Sequence, residues 1–187
     1  LAKGVDEIIQ ADWNNHHKRA ILCIVDVLSQ AYGRREELFG IHQALAGAVD
    51  SYARARLAGH PVISLLVGKS MSGAFLAHGY QANRIIALKD TGVMVHAMGK
   101  ESAARVTLRT VDELEKLAAS IPPMAYDIES YATLGLLSDL LTVVNPEQPT
   151  IEDIASVQNA FLHALNDSQA TASTGLEHRL DGENKKK

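Results

Sequence analysis

Residues 61–79 constrain the fold of this chain more than any other stretch, because an apolar run passes through a Gly/Ser turn into a small-residue pattern. Residues 62–67 are mostly apolar and partly β-branched, which predicts a buried strand bounded by Pro61 and Gly68. The apolar residues after Gly73 predict a buried helix. A strand that turns into a helix leaves backbone N–H groups unpaired at the helix start, where they can bind negative charge.

Three kinds of site share this outline. A phosphate-binding P-loop needs the pattern G-x-x-x-x-G-K-[ST], and residues 68–70 match its end, but Ile63 stands where the first glycine belongs. A serine-hydrolase elbow needs G-x-S-x-G, and Ser72 replaces its last glycine. An oxyanion hole built from backbone N–H groups needs only small residues and close approach. A tight turn with glycines for packing is the alternative without any ligand.

Short strands alternate with helices along the chain, which predicts an α/β domain over residues 1–166. Strand 20–27, helix 36–58 and strand 61–67 form a βαβ unit, and the first strand, which is apolar up to Asp26 near its end, predicts a sheet covered on both faces. Further strands are predicted at 84–88 and 93–95, and helices at 101–107, 110–119, 128–144 and 150–165. The Ser-, Thr- and charge-rich residues 167–187 are predicted to be a flexible tail.

Composition excludes several classes of function. A net charge of −4 provides no basic surface for nucleic acid, and no apolar run reaches the length of a membrane span. A single cysteine, Cys23, excludes an internal disulfide framework and a cysteine metal cluster, and fits a reducing compartment. We therefore expect a cytoplasmic protein without a metal site, a nucleic-acid partner or a membrane partner.

Four long segments of the sequence resemble those of a known protein family, which the short motifs above do not. They read SQAYGRREE at 29–37, SYARARLAGHPV at 51–62, GKSMSGAFLAHGYQANR at 68–84 and GVMVHAMGK at 92–100. Together they resemble the gamma subunits of biotin-independent malonate decarboxylase, a carboxyltransferase-like branch of the crotonase superfamily. The paired glycines of the acetyl-CoA carboxylase pattern are replaced here by Ser70-Met71, although a biotin-dependent carboxyltransferase-like subunit stays an alternative.

The resemblance implies a crotonase-like ββα superhelix with C-terminal helices, preceded by N-terminal strands that this sequence lacks. It implies a carboxy-lyase that converts malonyl-S-acyl-carrier protein into acetyl-S-acyl-carrier protein and CO2. The expected partners are a beta subunit in an obligate heteromer, an acyl-carrier protein subunit and an alpha acyl-transferase subunit. No cofactor is expected in this chain, and a phosphopantetheine-type group is expected on the carrier protein.

The same resemblance implies where the site lies. Backbone N–H groups of two segments are the expected oxyanion donors, namely Ser70, Met71, Ser72 and Gly73, and Gly99, Lys100 and Glu101. The expected substrate-binding side chains are Lys69, His96, Arg34 and Tyr32, and Lys100 is a second cation that could attract the carboxylate. A solvated lysine, a structural histidine and a solvated Arg34 loop are the alternatives. A non-catalytic scaffold subunit and a P-loop-like nucleotide binder stay open as other functions.

Overall fold

The computed structural model describes residues 1–170 together with Leu176 and Arg179. Their helices and strands follow in chain order: α1 (Ala2–Ala11), β1 (Ile21–Val27), α2 (Arg34–Leu38), α3 (Ile41–Leu57), β2 (Val62–Met71), α4 (Ser72–Ala77), β3 (Arg84–Leu88), β4 (Met94–His96), α5 (Lys100–Thr107), α6 (Val111–Ala118), α7 (Ile128–Ala132), β5 (Asp139–Leu141) and α8 (Ile151–Ala170), with a 3-10 turn at Pro122–Met124. None of the helices among these residues is both long and apolar enough to span a membrane.

A parallel sheet organises the domain. Its strand order is β1-β2-β3-β5, and β4 pairs with the carboxyl-terminal half of β2. The parallel register begins with Ile21 beside Val62, which confirms the predicted βαβ unit through α3. The largest fully buried side chains include Leu66, Ile85 and Ile86 of the central strands. The α/β class predicted from the sequence is therefore confirmed.

Strand β2 is longer than predicted. The sequence places a turn at residues 68–72, but the strand continues through Lys69 and Ser70 to Met71. Two partners stabilise this extension, because β4 pairs with residues 69–71 and a bulge in β1 lets Asp26 Oδ1 accept the Lys69 N–H at 2.9 Å. A local pattern could not show these partners, which come from distant parts of the chain.

Two predicted helices are divided differently in the structure. The helix expected at 36–58 is split into α2 and α3 at Gly40, whose φ of +79° is a left-handed conformation suited to glycine. The helix expected at 128–144 is wrong: α7 ends at Ala132, and Asp139–Leu141 form a strand beside β3. Parallel pairing with β3 satisfies the backbone of this segment, which periodicity alone assigned to a helix.

The edge strand β1 is covered on one face only. Its side chains alternate between buried and exposed, and Leu22 and Ile24 are 50% and 52% exposed. The prediction of a sheet covered on both faces is therefore wrong for this strand among the described residues. Helices α1 and α3 pack against each other and supply part of the buried side, through Val5, Ile9 and Tyr52 of the core.

The last helix reaches beyond the predicted start of the tail. α8 continues to Ala170, and its Asp167 pairs with Arg84 of β3 at 2.5 Å. Within the tail, Arg179 donates to the carbonyl oxygen of Tyr80 at 2.9 Å and lies over the Tyr80 ring. The other tail residues after Ala170, apart from Leu176, lie outside the described residues, so the domain boundary at 166 stays a prediction.

Candidate active site

A cleft of about 680 Å³ opens where β2 ends beside β4 and the start of α5. This is the carboxyl edge of the parallel strands, the usual ligand position in open α/β sheets. The cleft brings together most of the predicted site residues: Tyr32, Lys69, Met71, Ser72, Gly99, Lys100 and Glu101. Two segments almost thirty residues apart in sequence therefore line one surface.

The first wall is the sharp transition from β2 to α4. Met71 is extended, and Ser72 has a φ of +62°, a left-handed conformation that non-glycine residues seldom adopt. Such a backbone costs about 1–3 kcal/mol and is found preferentially at functional sites. The reversal sets the first turn of α4 against the cleft, and Gln30 Oε1 accepts the N–H of Ala74 at 3.3 Å.

The second wall is the amino terminus of α5. Gly99 precedes the helix with an extended backbone and no side-chain cap, and its carbonyl oxygen accepts the Ala103 N–H at 2.9 Å. The N–H groups of Lys100 and Glu101 have no acceptor within the helix, because the residues four positions earlier lie outside it. These donors, at the positive end of the helix dipole, are suited to a developing oxyanion.

The two lysines of the cleft are in different electrostatic settings. Lys100 Nζ lies 2.6 Å from Glu115 Oε1 and 5.5 Å from the ring centre of Tyr126. None of the ion pairs among the described residues involves Lys69, whose side chain is exposed at the cleft. Lys69 thus lies at the cleft outside the ion pairs of the described residues, whereas Lys100 is paired with Glu115.

His96 lies behind the cleft wall rather than in it. Its ring stacks on Tyr126 with 3.8 Å between ring centres, and Nδ1 is 3.0 Å from the carbonyl oxygen of Met98. Burial lowers the pKa of His96, while the hydrogen bond with Met98 partly opposes that shift. The neutral imidazole is favoured, and the ring lines two smaller apolar pockets instead of the main cleft.

Three other predicted residues are placed outside the main cleft. The Ser70 side chain is fully buried in β2, and its hydroxyl has no hydrogen-bond partner among the described residues. Gly73 lines a neighbouring apolar pocket of about 300 Å³. Arg34 is exposed at the first residue of α2. Their roles at the site stay predictions.

The sequence profile of the family described as malonate decarboxylase gamma subunit matches residues 1–187. The chain belongs to this family. It is 63% identical to a chain of a Pseudomonas malonate decarboxylase hetero-tetramer in complex with coenzyme A, with a TM-score of 0.95, and the match covers 99% of this chain and 70% of that chain. It is also 63% identical to a chain of the Pseudomonas malonate decarboxylase MdcD-MdcE hetero-dimer, with a TM-score of 0.89, covering 96% of this chain and 69% of that chain.

A more distant relative of the gamma subunit is named for a different activity. The Malonyl-S-ACP:biotin-protein carboxyltransferase MADD of Malonomonas rubra is 31% identical over 183 residues, which cover 96% of this chain. The chain spans 59% of the length of this curated relative. An enoyl-CoA hydratase from Bacillus halodurans, 14% identical with a TM-score of 0.55, covers 98% of this chain and 76% of its own, and shows the shared fold alone. The crotonase-like fold is thus confirmed.

Two side chains at the site of this gamma subunit were missed by sequence reasoning. Tyr126 lines the cleft, and its hydroxyl is shielded from solvent without a hydrogen-bond partner among the described residues. The Val95 N–H donates to its carbonyl oxygen at 3.0 Å, which attaches it to β4. Glu115 reaches Lys100 from α6. Neither residue was assigned to the site from the sequence, because both arrive through contacts between distant segments.

Among the described residues, no group of three or more histidine, cysteine, aspartate or glutamate side chains is arranged to hold a metal ion. Groups of the cleft that can stabilise an anion include the backbone N–H groups at the start of α5 and the Lys69 ammonium, and the Glu101 carboxylate lines the same cleft.

Proposed function

We propose that this chain is the catalytic gamma subunit of a malonate decarboxylase and acts together with a beta subunit. The reaction is the decarboxylation of malonyl-S-acyl-carrier protein to acetyl-S-acyl-carrier protein and CO2, which makes the complex a carboxy-lyase. The observation that carries the proposal is the cleft that is lined by residues 71–72 and 99–101, in the two segments from which oxyanion donors are expected. Family membership over the whole chain supports it.

The chemistry requires an electron sink rather than a nucleophile. When the bond between the carboxylate carbon and the α-carbon breaks, its electron pair moves into the thioester as an enolate, and CO2 leaves. A proton then reaches the α-carbon and yields the acetyl thioester. Backbone N–H groups aimed at the enolate oxygen lower this barrier, and one good donor of this kind contributes about 2.7–4 kcal/mol. The α5 terminus offers such donors next to the β2–α4 turn.

Exposed apolar side chains at the rim of the cleft favour the proposal that a partner subunit binds there. Leu28 and Tyr32 line the cleft and are 67% and 75% exposed. Such rims are common where a second protein covers a site, and the solved relatives are named as a hetero-tetramer and a hetero-dimer. The proposed partners are an obligate beta subunit, an acyl-carrier protein subunit and an alpha acyl-transferase subunit, in a cytoplasmic complex without nucleic acid or membrane.

The proposed thioester arm belongs to the carrier protein. One solved relative is in complex with coenzyme A. Coenzyme A contains the same pantetheine arm as a phosphopantetheine-type prosthetic group. Lys69 and Arg34 are the proposed contacts for the arm's phosphate, because both are exposed cations. In this proposal the chain holds no cofactor or metal of its own, and His96 and Tyr32 shape the substrate's surroundings.

A second candidate function is transfer of the carboxyl group to a biotin protein. The name of the Malonomonas relative supports it, but that relative is 31% identical, whereas the malonate decarboxylase chains are 63% identical. Addition of avidin separates the two, because it blocks a biotin-dependent transfer and leaves direct CO2 release unchanged. A scaffold role, in which the beta subunit does all the chemistry, predicts full activity from the beta subunit alone.

A backbone-directed variant tests the catalytic role. Lys100→Pro removes one N–H at the first position of α5, where proline is well tolerated because Gly99 before it is already extended. Lys100→Ala is the matched control, since it removes the same side chain and keeps the N–H. In the reconstituted complex with malonyl-loaded carrier protein, we expect Lys100→Pro to lower kcat about 10²- to 10³-fold relative to Lys100→Ala.

Equal rates for the two variants in a correctly assembled complex would show that this N–H does not stabilise the transition state. Reconstitution of each subunit alone and of both together tests the shared site. CO2 release only from the mixture is the expected result, and full release by the beta subunit alone would favour the scaffold role.

A further inference from the structure

The side chain of Lys100 lies between two cavities. It lines the main cleft and also a neighbouring cavity of about 350 Å³ beside α6. Glu115 lines the neighbouring cavity but is not among the residues that line the main cleft. The 2.6 Å ion pair between Nζ of Lys100 and Oε1 of Glu115 therefore draws the ammonium toward the smaller cavity.

An aromatic pair supports the ammonium in this position. The Tyr126 ring centre is 5.5 Å from Nζ of Lys100, and the same ring stacks on His96 at 3.8 Å. The hydrogen bond from Val95 to the backbone of Tyr126 attaches this ring to the sheet. The lysine head is thus held by a carboxylate and an anchored ring, although both ends of the ion pair are partly exposed to solvent.

A positive charge close to the reacting carboxylate would slow a decarboxylation. The carboxylate is an anion in the bound substrate and leaves as neutral CO2, so its charge decreases on the way to the transition state. A cation bound to it stabilises the substrate more than the transition state, which tightens binding and raises the barrier. The group that gains charge is the thioester oxygen, for which backbone N–H groups are available.

On the basis of the proposed function, we infer that Glu115 is a positioning residue that withholds the Lys100 ammonium from the substrate carboxylate. The sequence-based expectation was the opposite, that Lys100 attracts this carboxylate. Glu115 balances the charge of Lys100 and keeps Nζ at the edge of the cleft, away from the substrate carboxylate. The effect of Lys100 on binding then depends on the charge of Glu115.

Glu115→Gln in the assembled complex tests this inference. The substitution keeps the size of the side chain and removes its charge, which frees the ammonium to pair with the carboxylate of malonyl-loaded carrier protein. We expect KM and kcat for CO2 release to fall together, each roughly three- to ten-fold, with kcat/KM nearly unchanged. Asp112→Asn is the matched control, because it removes one exposed charge from the same helix without touching the ion pair.

A double variant separates positioning from a structural role. In Lys100→Met/Glu115→Gln the freed ammonium is absent, so the decrease in KM should disappear. A defect in the packing of α5 against α6 would persist in the double variant. An unchanged or increased KM in Glu115→Gln, or a decrease that survives in the double variant, would overturn the inference.

Calorimetric titration with malonyl-pantetheine separates this inference from the proposed function. A wild-type complex that releases no CO2 would refute the proposed function alone. Tighter binding of malonyl-pantetheine by Glu115→Gln than by wild type would still support the inference about Glu115, and equal binding would refute it.

Discussion

Replacement of Gly68 by alanine should destabilise the chain, although this glycine lies inside a strand. A Cβ atom at this position would lie 2.5 Å from Cγ of Asp26 and closer still to its Oδ1. Real Cβ atoms essentially never lie closer than 3.0 Å to another heavy atom, so the Asp26 side chain must move away. That movement breaks its 2.9 Å hydrogen bond with the Lys69 N–H, which supports the extended end of β2.

The magnitude follows from two contributions. A hydrogen bond to a charged group contributes about 1.5–3 kcal/mol, and the lower end applies because this one is exposed. Steric overpacking typically adds about 1–3 kcal/mol, reduced here because Asp26 can turn toward solvent. We expect Gly68→Ala to lower the free energy of unfolding by about 2–4 kcal/mol, which corresponds to a decrease in Tm of about 4–16 °C for a chain of this size.

Urea unfolding followed by far-ultraviolet circular dichroism measures this effect. The informative comparison is with Asp26→Ala and with the double variant, because the double variant lacks the carboxylate that the new methyl group would strike. We expect the double variant to be as stable as Asp26→Ala alone. Full additivity of the two single effects, or a Gly68→Ala midpoint equal to that of wild type, would refute the steric explanation.

Three further predictions concern single side chains. Thr110→Ala breaks the capping box with Glu113 and should lower the free energy of unfolding by about 1 kcal/mol in the same urea assay. Hydrogen bonds from the backbone of Thr150 and Val144 lower the pKa of Asp153. The contribution of Asp153 to the free energy of unfolding is therefore present above the ordinary aspartate pKa and is lost as pH falls through the pKa of the folded state. An acid titration of the stability of Asp153→Asn should lack this part of the pH dependence. Ser70→Ala should leave both Tm and CO2 release unchanged in thermal and turnover assays, because the hydroxyl is enclosed and unpaired among the described residues, whereas a large loss of turnover would indicate a nucleophile.

Local chemistry made several parts of the structure predictable. The helix predicted at 110–119 is confirmed within one residue at each end and begins after Thr110, which forms a capping box with Glu113, and the strands at 20–27 and 84–88 are confirmed within one residue at each end. Burial and turn formation depend on short stretches of sequence, so the periodicity of apolar residues and the position of glycine and proline suffice to predict these elements. The family followed from long strings, because the match to residues 1–187 rests on many positions together.

The assembly of the candidate site was only partly predictable. The two backbone segments at residues 70–73 and 99–101 were expected from family resemblance, and the structure places residues 71–72 and 99–101 in one cleft. The resemblance could not show that β2 continues to Met71, because its second half depends on a bulge at Asp26 and on pairing with β4.

The α/β class, the order of most elements and the family could be read from the amino-acid sequence. The pairing of Lys100 with Glu115, the stacking of Tyr126 on His96 and the addition of β5 to the sheet after α7 became visible only in the folded chain. The physical reason is the range of the interactions. Periodicity and capping act within a few residues, whereas ion pairs, ring stacking and strand register join segments whose approach depends on how the whole chain packs.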